Sequence, residues 1–95
     1  MSHIKAQIEA LRELVDKIKN AETIFERAAL FGAIRGLVED LDSDEQLNGY
    51  AKEKARGVRW HAAAALGFDE TNGHTAEAHR VWAYGEMNTL ESAYE

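Results

Sequence analysis

Residues 47–66 read LNGYAKEKARGVRWHAAAAL, and the spacing of their apolar side chains decides the fold. Apolar residues recur at steps of three and four, which is the period of a helix with one buried face. They are Leu47, Ala51, Ala55, Val58, Ala62 and Ala65. Trp60 lies about 200° around the helix from Val58, at ~100° per residue. The stretch therefore predicts a helix with a core face and a large aromatic side chain on the opposite side.

That opposite side favours contact with another protein. An aromatic side chain beside arginines and small residues is the combination found at binding hot spots. The predicted partner-binding residues on this face are Trp60, Arg56, Arg59, Gly57 and Ala64. The alternative interpretation is that Trp60 covers the last helix or the 68–74 loop within its own fold.

Three further segments show the helical period. The first carries a narrow seam of Ile4, Ile8, Leu11, Val15 and Ile18, and the second is apolar over most of its circumference. Short links between helices favour antiparallel neighbours. We therefore expect an all-α, compact antiparallel bundle of four helices spanning about 2–19, 21–41, 44–66 and 76–93, in one helical domain over 1–95.

Capping signals set the expected helix ends. Ser2, Asn20 and Thr75 are candidate N-caps, because short polar side chains accept hydrogen bonds from the free N–H groups of a first turn. The stretch from Ser43 to Gln46 has the spacing of a capping box for the third helix. Gly67 is the expected stop of that helix.

A strip of small residues on the second helix has two interpretations. Ala28, Gly32 and Gly36 follow one another at one-turn spacing, and each interior glycine costs ~1 kcal/mol relative to alanine, which suggests a packing reason. The strip either packs closely against another helix of the same chain or forms the seam of a homodimer.

Composition limits the partners and the compartment. The 95 residues contain no cysteine and no proline and carry a net charge of −6, so a disulfide framework and a thiolate metal site are excluded. No apolar run approaches the ~20 residues of a membrane span. We expect a soluble, cytoplasmic protein with no membrane contact. Nucleic acid is an unlikely partner for an acidic chain, and weak binding through the basic segment 52–59 is the remaining alternative.

Acidic residues cluster around the link between the second and third helices. A capping role explains part of this group, and a basic partner surface would explain the rest. The residues that we assign to partner contact are Asp40, Asp42, Asp44 and Glu45.

The sequence contains no clear catalytic or ligand signature. The four histidines lack metal-ligand spacing, so we predict no metal and no cofactor. All-α nucleotide pyrophosphohydrolases hold magnesium with helical carboxylates, and a similar set here would be Glu22, Glu26, Glu39 and Asp42. A magnesium-dependent enzyme of that kind is the alternative function.

The leading hypothesis is a non-enzymatic protein–protein interaction module that forms a homodimer. Small, acidic, cysteine-free helical proteins are common among phage-encoded inhibitors, including anti-CRISPR and other anti-defence proteins. This analogy rests on size and charge alone. It implies a protein that blocks a surface of its partner.

Overall fold

The computed structural model describes residues 3–94. This part of the chain forms four α-helices, α1 (His3–Asp16), α2 (Ile24–Asp42), α3 (Gly49–Leu66) and α4 (Ala76–Tyr94), with a short 3-10 helix (Ile18–Asn20) after α1. The described residues contain no strand. The prediction of an all-α bundle of four helices is confirmed.

Helix α3 lies at the centre of the bundle, packed against α2 on one side and α4 on the other. Its buried stripe follows the sequence prediction from Ala51 to Ala62, and Leu47 is buried just before the helix begins. At the end of the helix Leu66 is buried, whereas the predicted Ala65 is only half-buried. Alanines on this stripe let α4 approach closely, and α3–α4 is the most extensive helix contact. Helix α1 lays its Ile/Leu/Val seam across α2 and α4.

Helix α2 begins three residues later than expected. Thr23 is its N-cap: the Thr23 hydroxyl accepts the Glu26 N–H at 3.0 Å, and the Glu26 carboxylate accepts the Thr23 N–H at 2.9 Å. This reciprocal capping box satisfies two otherwise free N–H groups. The prediction that Asn20 caps this helix was wrong, because Asn20 closes the 3-10 turn instead.

The predicted capping box for α3 was also wrong. Ser43 is the C-cap of α2, and Asp44 accepts the Gln46 N–H at 2.9 Å within the link. Helix α3 begins at Gly49, where the Asn48 side chain accepts the Ala51 N–H at 2.8 Å. Helix α3 therefore begins at residue 49 instead of 44, and the link between α2 and α3 is residues 43–48 instead of 42–43.

Two other predicted helix ends are correct. Gly67 ends α3 in the left-handed region at φ 92°, which a residue with a Cβ rarely adopts. The Thr75 hydroxyl accepts the Ala78 N–H at 3.0 Å at the start of α4. The Ser2 prediction lies outside the described residues.

The glycine strip on α2 faces away from the rest of the chain. A Cβ added to Gly32 or Gly36 would meet no atom within 4 Å, and Ala28 is exposed. Phe25, on the same face, is 74% exposed. Close packing within the chain was therefore the wrong interpretation of these glycines. We call Phe25, Ala28, Ala29, Gly32, Ala33 and Gly36 the outer face of α2.

Candidate partner-binding surface

Trp60 projects from the middle of α3 and is 44% exposed. Its ring packs on the ring of His61, with centroids 4.4 Å apart, and lies edge-on to His79 on α4 at 5.8 Å. The interpretation that Trp60 covers the last helix is thus partly confirmed, and contact with a partner stays a prediction. The inner part of the indole contacts α4 within its own fold, while the rest of the ring is open to solvent.

A pair of histidines lies beneath Trp60. His79 is 1% exposed, and its Nδ1 atom lies 2.9 Å from Nδ1 of His61. The Nε2 atom of His79 lies 2.8 Å from the carbonyl oxygen of Thr71, which can only accept. Burial and the neighbouring His79 lower the pKa of His61, and Glu86 opposes this effect. The pair joins α3, α4 and the loop between them.

Trp82 extends the exposed aromatic area onto α4. Its ring contacts His61, His74 and His79, with centroids 4.9–5.5 Å apart. On the other side of Trp60, Phe68 stacks on Phe31 of α2 at 5.6 Å. We call this continuous belt the aromatic surface, and it consists of Phe31, Trp60, His61, Phe68, His74 and Trp82.

A shallow groove between α2 and α3 runs along one edge of Trp60. It has a volume of ≈ 300 Å³ and is lined by Phe31, Phe68 and Ala63, with Arg35, Arg59 and Asp69 at its rim. The groove therefore combines aromatic walls with charged groups. Such a mixture suits a protein segment that carries an apolar side chain beside a polar or charged one.

The two predicted arginines differ in their availability. Arg56 forms an ion pair with Asp42 at the end of α2. By contrast, no residue among 3–94 makes an ion pair or side-chain hydrogen bond with Arg59. Lys52 shares this side of α3, whereas Lys54 lies on another side, 3.7 Å from Glu86. The basic segment is therefore divided between two sides of the helix.

Two of the predicted partner-binding residues contact other parts of their own chain: Ala64 is buried, and Gly57 is half-buried. Ala64 is 1% exposed and lies under the α3–α4 loop, beside Gly67 and Thr71. A Cβ on Gly57 would collide with the side chain of Glu86, so this glycine accommodates α4. The expected bed of small residues around Trp60 was wrong, because α4 and its preceding loop wrap further around α3 than the helical period alone suggests.

The acidic residues near the link have separate roles. Asp42 pairs with Arg56, and Asp44 contacts His3 at 3.1 Å while also accepting the Gln46 N–H. Among the described residues, none forms an ion pair with Asp40 or Glu45, and both are solvent-accessible. Of the four predicted contacts, Asp40 and Glu45 retain free carboxylates.

The carboxylates of the alternative magnesium site do not converge. Glu22 and Glu26 lie at the start of α2, where Glu26 serves as a capping residue. Asp42 is the last residue of α2, 16 residues after Glu26 and therefore about 24 Å away at 1.5 Å per residue. One magnesium ion cannot bind both ends of the helix within one chain.

Within residues 3–94, no group of three or more histidine or acidic side chains is placed to hold a metal ion. None of the described helices combines the length and apolarity needed to cross a bilayer.

Comparison of the chain with protein-family models, curated proteins and solved structures found no match. The function must therefore be argued from the surfaces of this chain.

Sequence reasoning missed the histidine pair. The spacing of the histidines was considered only for metal binding, and His79 lies 18 residues from His61 on another helix. Only the short loop that folds α4 back onto α3 brings the two rings together. A helical-wheel comparison of the two facing helices could have found the pair, whereas a search for spaced motifs could not.

Proposed function

We propose that the chain is a non-enzymatic protein-interaction module that binds its partner through the aromatic surface. The observation that carries the proposal is the position of Trp60, which is 44% exposed although its ring already rests on His61 and His79. A held aromatic side chain loses little conformational freedom on binding, which favours affinity. The free guanidinium of Arg59 lies beside it.

These groups define the chemistry of the partner. An apolar or aromatic side chain would fill the groove between Phe31 and Phe68, and a nearby carboxylate would meet Arg59. The free carboxylates of Asp40 and Glu45 would attract a partner whose wider surface is basic.

Such binding would block a surface of the partner. This mode of action supports the analogy with small phage-encoded inhibitors of the anti-CRISPR or wider anti-defence class, whose size and acidity the chain shares. On this proposal the protein acts by occupancy alone and needs neither metal nor cofactor.

We further propose that the chain forms a homodimer through the outer face of α2. Gly32 and Gly36 leave the helix backbone open to close approach, and Phe25 lies exposed on the same face. In an antiparallel pairing, Phe25 of one copy would lie over Gly36 of the other, and Ala29 over Gly32. The large side chain would thus meet the smallest one in both halves of the dimer.

The test is affinity capture from bacterial lysates with three matched baits: the native chain, Trp60→Ala and Phe25→Ser. The Phe25→Ser variant removes a more exposed aromatic ring from another face. We expect a protein that the native and Phe25→Ser baits retain and the Trp60→Ala bait loses. Equal recovery by all three baits, or recovery of nothing from a wide range of hosts, would contradict the proposal.

The enzyme alternative has its own control. A thermal-shift screen with magnesium and nucleotides should leave the melting temperature unchanged, since a ligand that binds the folded state would raise it. A magnesium-dependent rise that Glu39→Gln abolishes would count against a purely non-enzymatic role.

A further inference from the structure

The hydrogen bonds of His61 and His79 fix where the protons of the two rings lie. The carbonyl oxygen of Thr71 only accepts, so His79 Nε2, 2.8 Å away, carries a proton. The two Nδ1 atoms are 2.9 Å apart, so one of them donates and the other accepts. In the uncharged pair, therefore, Nδ1–H of His61 donates to Nδ1 of His79.

This arrangement tolerates one additional proton and no more. A first proton on Nε2 of His61 leaves the Nδ1–H···Nδ1 bond intact. A second proton needs the lone pair of His79 Nδ1, which that bond already uses. Two N–H groups would then face each other around a ring that is 1% exposed, where water cannot solvate the charges.

The groups around the pair come from α3, α4 and the loop between them. Trp60 on α3 and Trp82 on α4 flank the rings, and His74 in the loop contacts the ring of His79. Glu86 on α4 is the one acidic group with a resolved electrostatic influence on His61, and it favours the charged ring. Burial and His79 act in the opposite direction and are the larger causes of the lowered pKa of His61.

We propose that the His61–His79 pair is a pH-sensitive latch that fixes the aromatic surface at neutral pH and releases it in mildly acidic solution. The His61 ring packs on Trp60 at 4.4 Å and faces Trp82 at 5.5 Å. Displacement of that ring removes one of the two histidine rings that both indoles contact, the other being His79. The latch is a property of the isolated chain, and its consequence, weaker partner binding in acid, rests on the proposed function.

The test follows the accessibility of Trp60 in a Trp82→Phe background, which leaves a single tryptophan. Acrylamide quenching of the fluorescence lifetime is measured from pH 8 to pH 5, with circular dichroism to follow helicity. Lifetime quenching by acrylamide separates exposure from the direct quenching that a charged histidine causes. We expect the quenching constant to rise in one transition below the ordinary histidine pKa of about 6.5 while the chain stays helical.

Two variants separate the latch from a general effect of acid. His61→Gln carries no titratable ring and should abolish the transition. His74→Gln is the matched control, because His74 touches the cluster without joining the Nδ1–Nδ1 bond, and it should keep the transition. A flat profile in the parent, or a transition that survives in His61→Gln, would overturn the proposal.

A second measurement needs no substitution at the pair. In the native ¹⁵N-labelled chain, a scalar coupling across the hydrogen bond between Nδ1 of His61 and Nδ1 of His79 should be present at pH 8 and lost at pH 5. Its absence at pH 8 or its persistence at pH 5 would contradict the latch. Neither experiment uses a partner, so failure of the latch and failure of the proposed function are distinguishable.

Discussion

The aromatic surface and the outer face of α2 both leave apolar groups in solvent, but they do so in different ways. Trp60 and Trp82 are large rings held by histidines of their own chain. The outer face of α2 is flat, with open space above Gly32 and Gly36 and a single exposed ring at Phe25. The aromatic surface presents rings that are held in place, and the outer face of α2 presents backbone that its small residues leave accessible.

This difference suggests different partners for the two regions. A fixed aromatic belt beside a free arginine offers chemical variety and little entropy cost, which suits recognition of a foreign protein. A flat helical strip offers close approach without specific polar groups, which suits a second helix of the same kind. Substitutions in the aromatic surface should therefore affect partner binding, and substitutions in the outer face of α2 should affect self-association.

The largest expected effect is that of Trp60→Ala on partner affinity. Removal of a hot-spot tryptophan costs about 2 kcal/mol or more, so the dissociation constant should rise at least ~30-fold. Titration calorimetry with the captured partner measures this change. Phe25→Ser should leave the affinity within about threefold, because the partner is not expected to touch the outer face of α2. Equal losses of partner affinity in Trp60→Ala and Phe25→Ser would contradict separate roles for the aromatic surface and the outer face of α2.

Self-association should respond in the reverse order. Light scattering should give twice the chain mass for the native protein and for Trp60→Ala, and the single mass for Gly36→Glu, which places a charge in the seam. The double variant Phe25→Ser/Gly36→Glu should be monomeric at all concentrations tested. A native monomer would contradict the dimer, and a dimer split by Trp60→Ala would move the seam to the aromatic surface.

The glycines should differ in their effect on stability. Gly32→Ala should raise the free energy of unfolding by about 1 kcal/mol, because a Cβ there meets nothing and alanine favours the helix. Gly57→Ala should gain little, since the new Cβ would lie within 2.8 Å of the carboxyl carbon of Glu86 and displace that side chain. Urea unfolding at low protein concentration, where dimerisation is minimal, provides the comparison. An equal gain in the free energy of unfolding at both positions would show that Glu86 on α4 does not restrict the space at Gly57.

Part of the fold could be predicted from the sequence, and part could not. The helical period placed the core of α3 correctly, since burial of an apolar stripe depends on local spacing alone. Helix starts were missed where two capping signals competed, as between Ser43 and Asn48. Either side chain can cap a helix, and the geometry of the link selects Asn48.

The candidate site was predicted less completely than the fold. The exposed side of Trp60 follows from its angle to the core stripe. The burial of Ala64 and the contact of Gly57 with Glu86 depend on how far α4 and its loop extend around α3. Those distances are set by tertiary packing, which the period of a single helix does not contain.

Stability should also depend on pH through His61, with a sign that follows from its lowered pKa. The unfolded chain binds this proton near the ordinary value of about 6.5, and the folded chain binds it only at lower pH. The contribution of neutral His61 is thus complete above 6.5 and is lost as the pH falls from there through the folded pKa. Urea midpoints should decline over this window.

His61→Gln provides the control for that decline, because it should flatten the profile above pH 5. The lowered pKa values of Glu26 and Glu77 act only around and below their ordinary value of 4.5, so their effect falls outside this range. If the urea midpoint of His61→Gln declined with pH as steeply as that of the native chain, other groups would be responsible for the pH dependence.

The smallest expected effect concerns the free acids. The double variant Asp40→Asn/Glu45→Gln should slow association with the partner severalfold at low salt and leave the dissociation rate unchanged, as expected of charges at the rim of an interface. Surface plasmon resonance at two salt concentrations measures both rates. Asp42→Asn instead removes the ion pair with Arg56 and should alter the dissociation rate only if that arginine is then recruited by the partner.

The most direct measurement of the central claim is the fluorescence of Trp60 when the partner binds. In the Trp82→Phe chain, Trp60 is the only tryptophan, and a tryptophan-free version of the partner keeps the signal specific. The account predicts a shift of the emission to shorter wavelength and a loss of acrylamide access on complex formation. Binding of the partner with the emission and the access of Trp60 unchanged would show that the partner binds elsewhere.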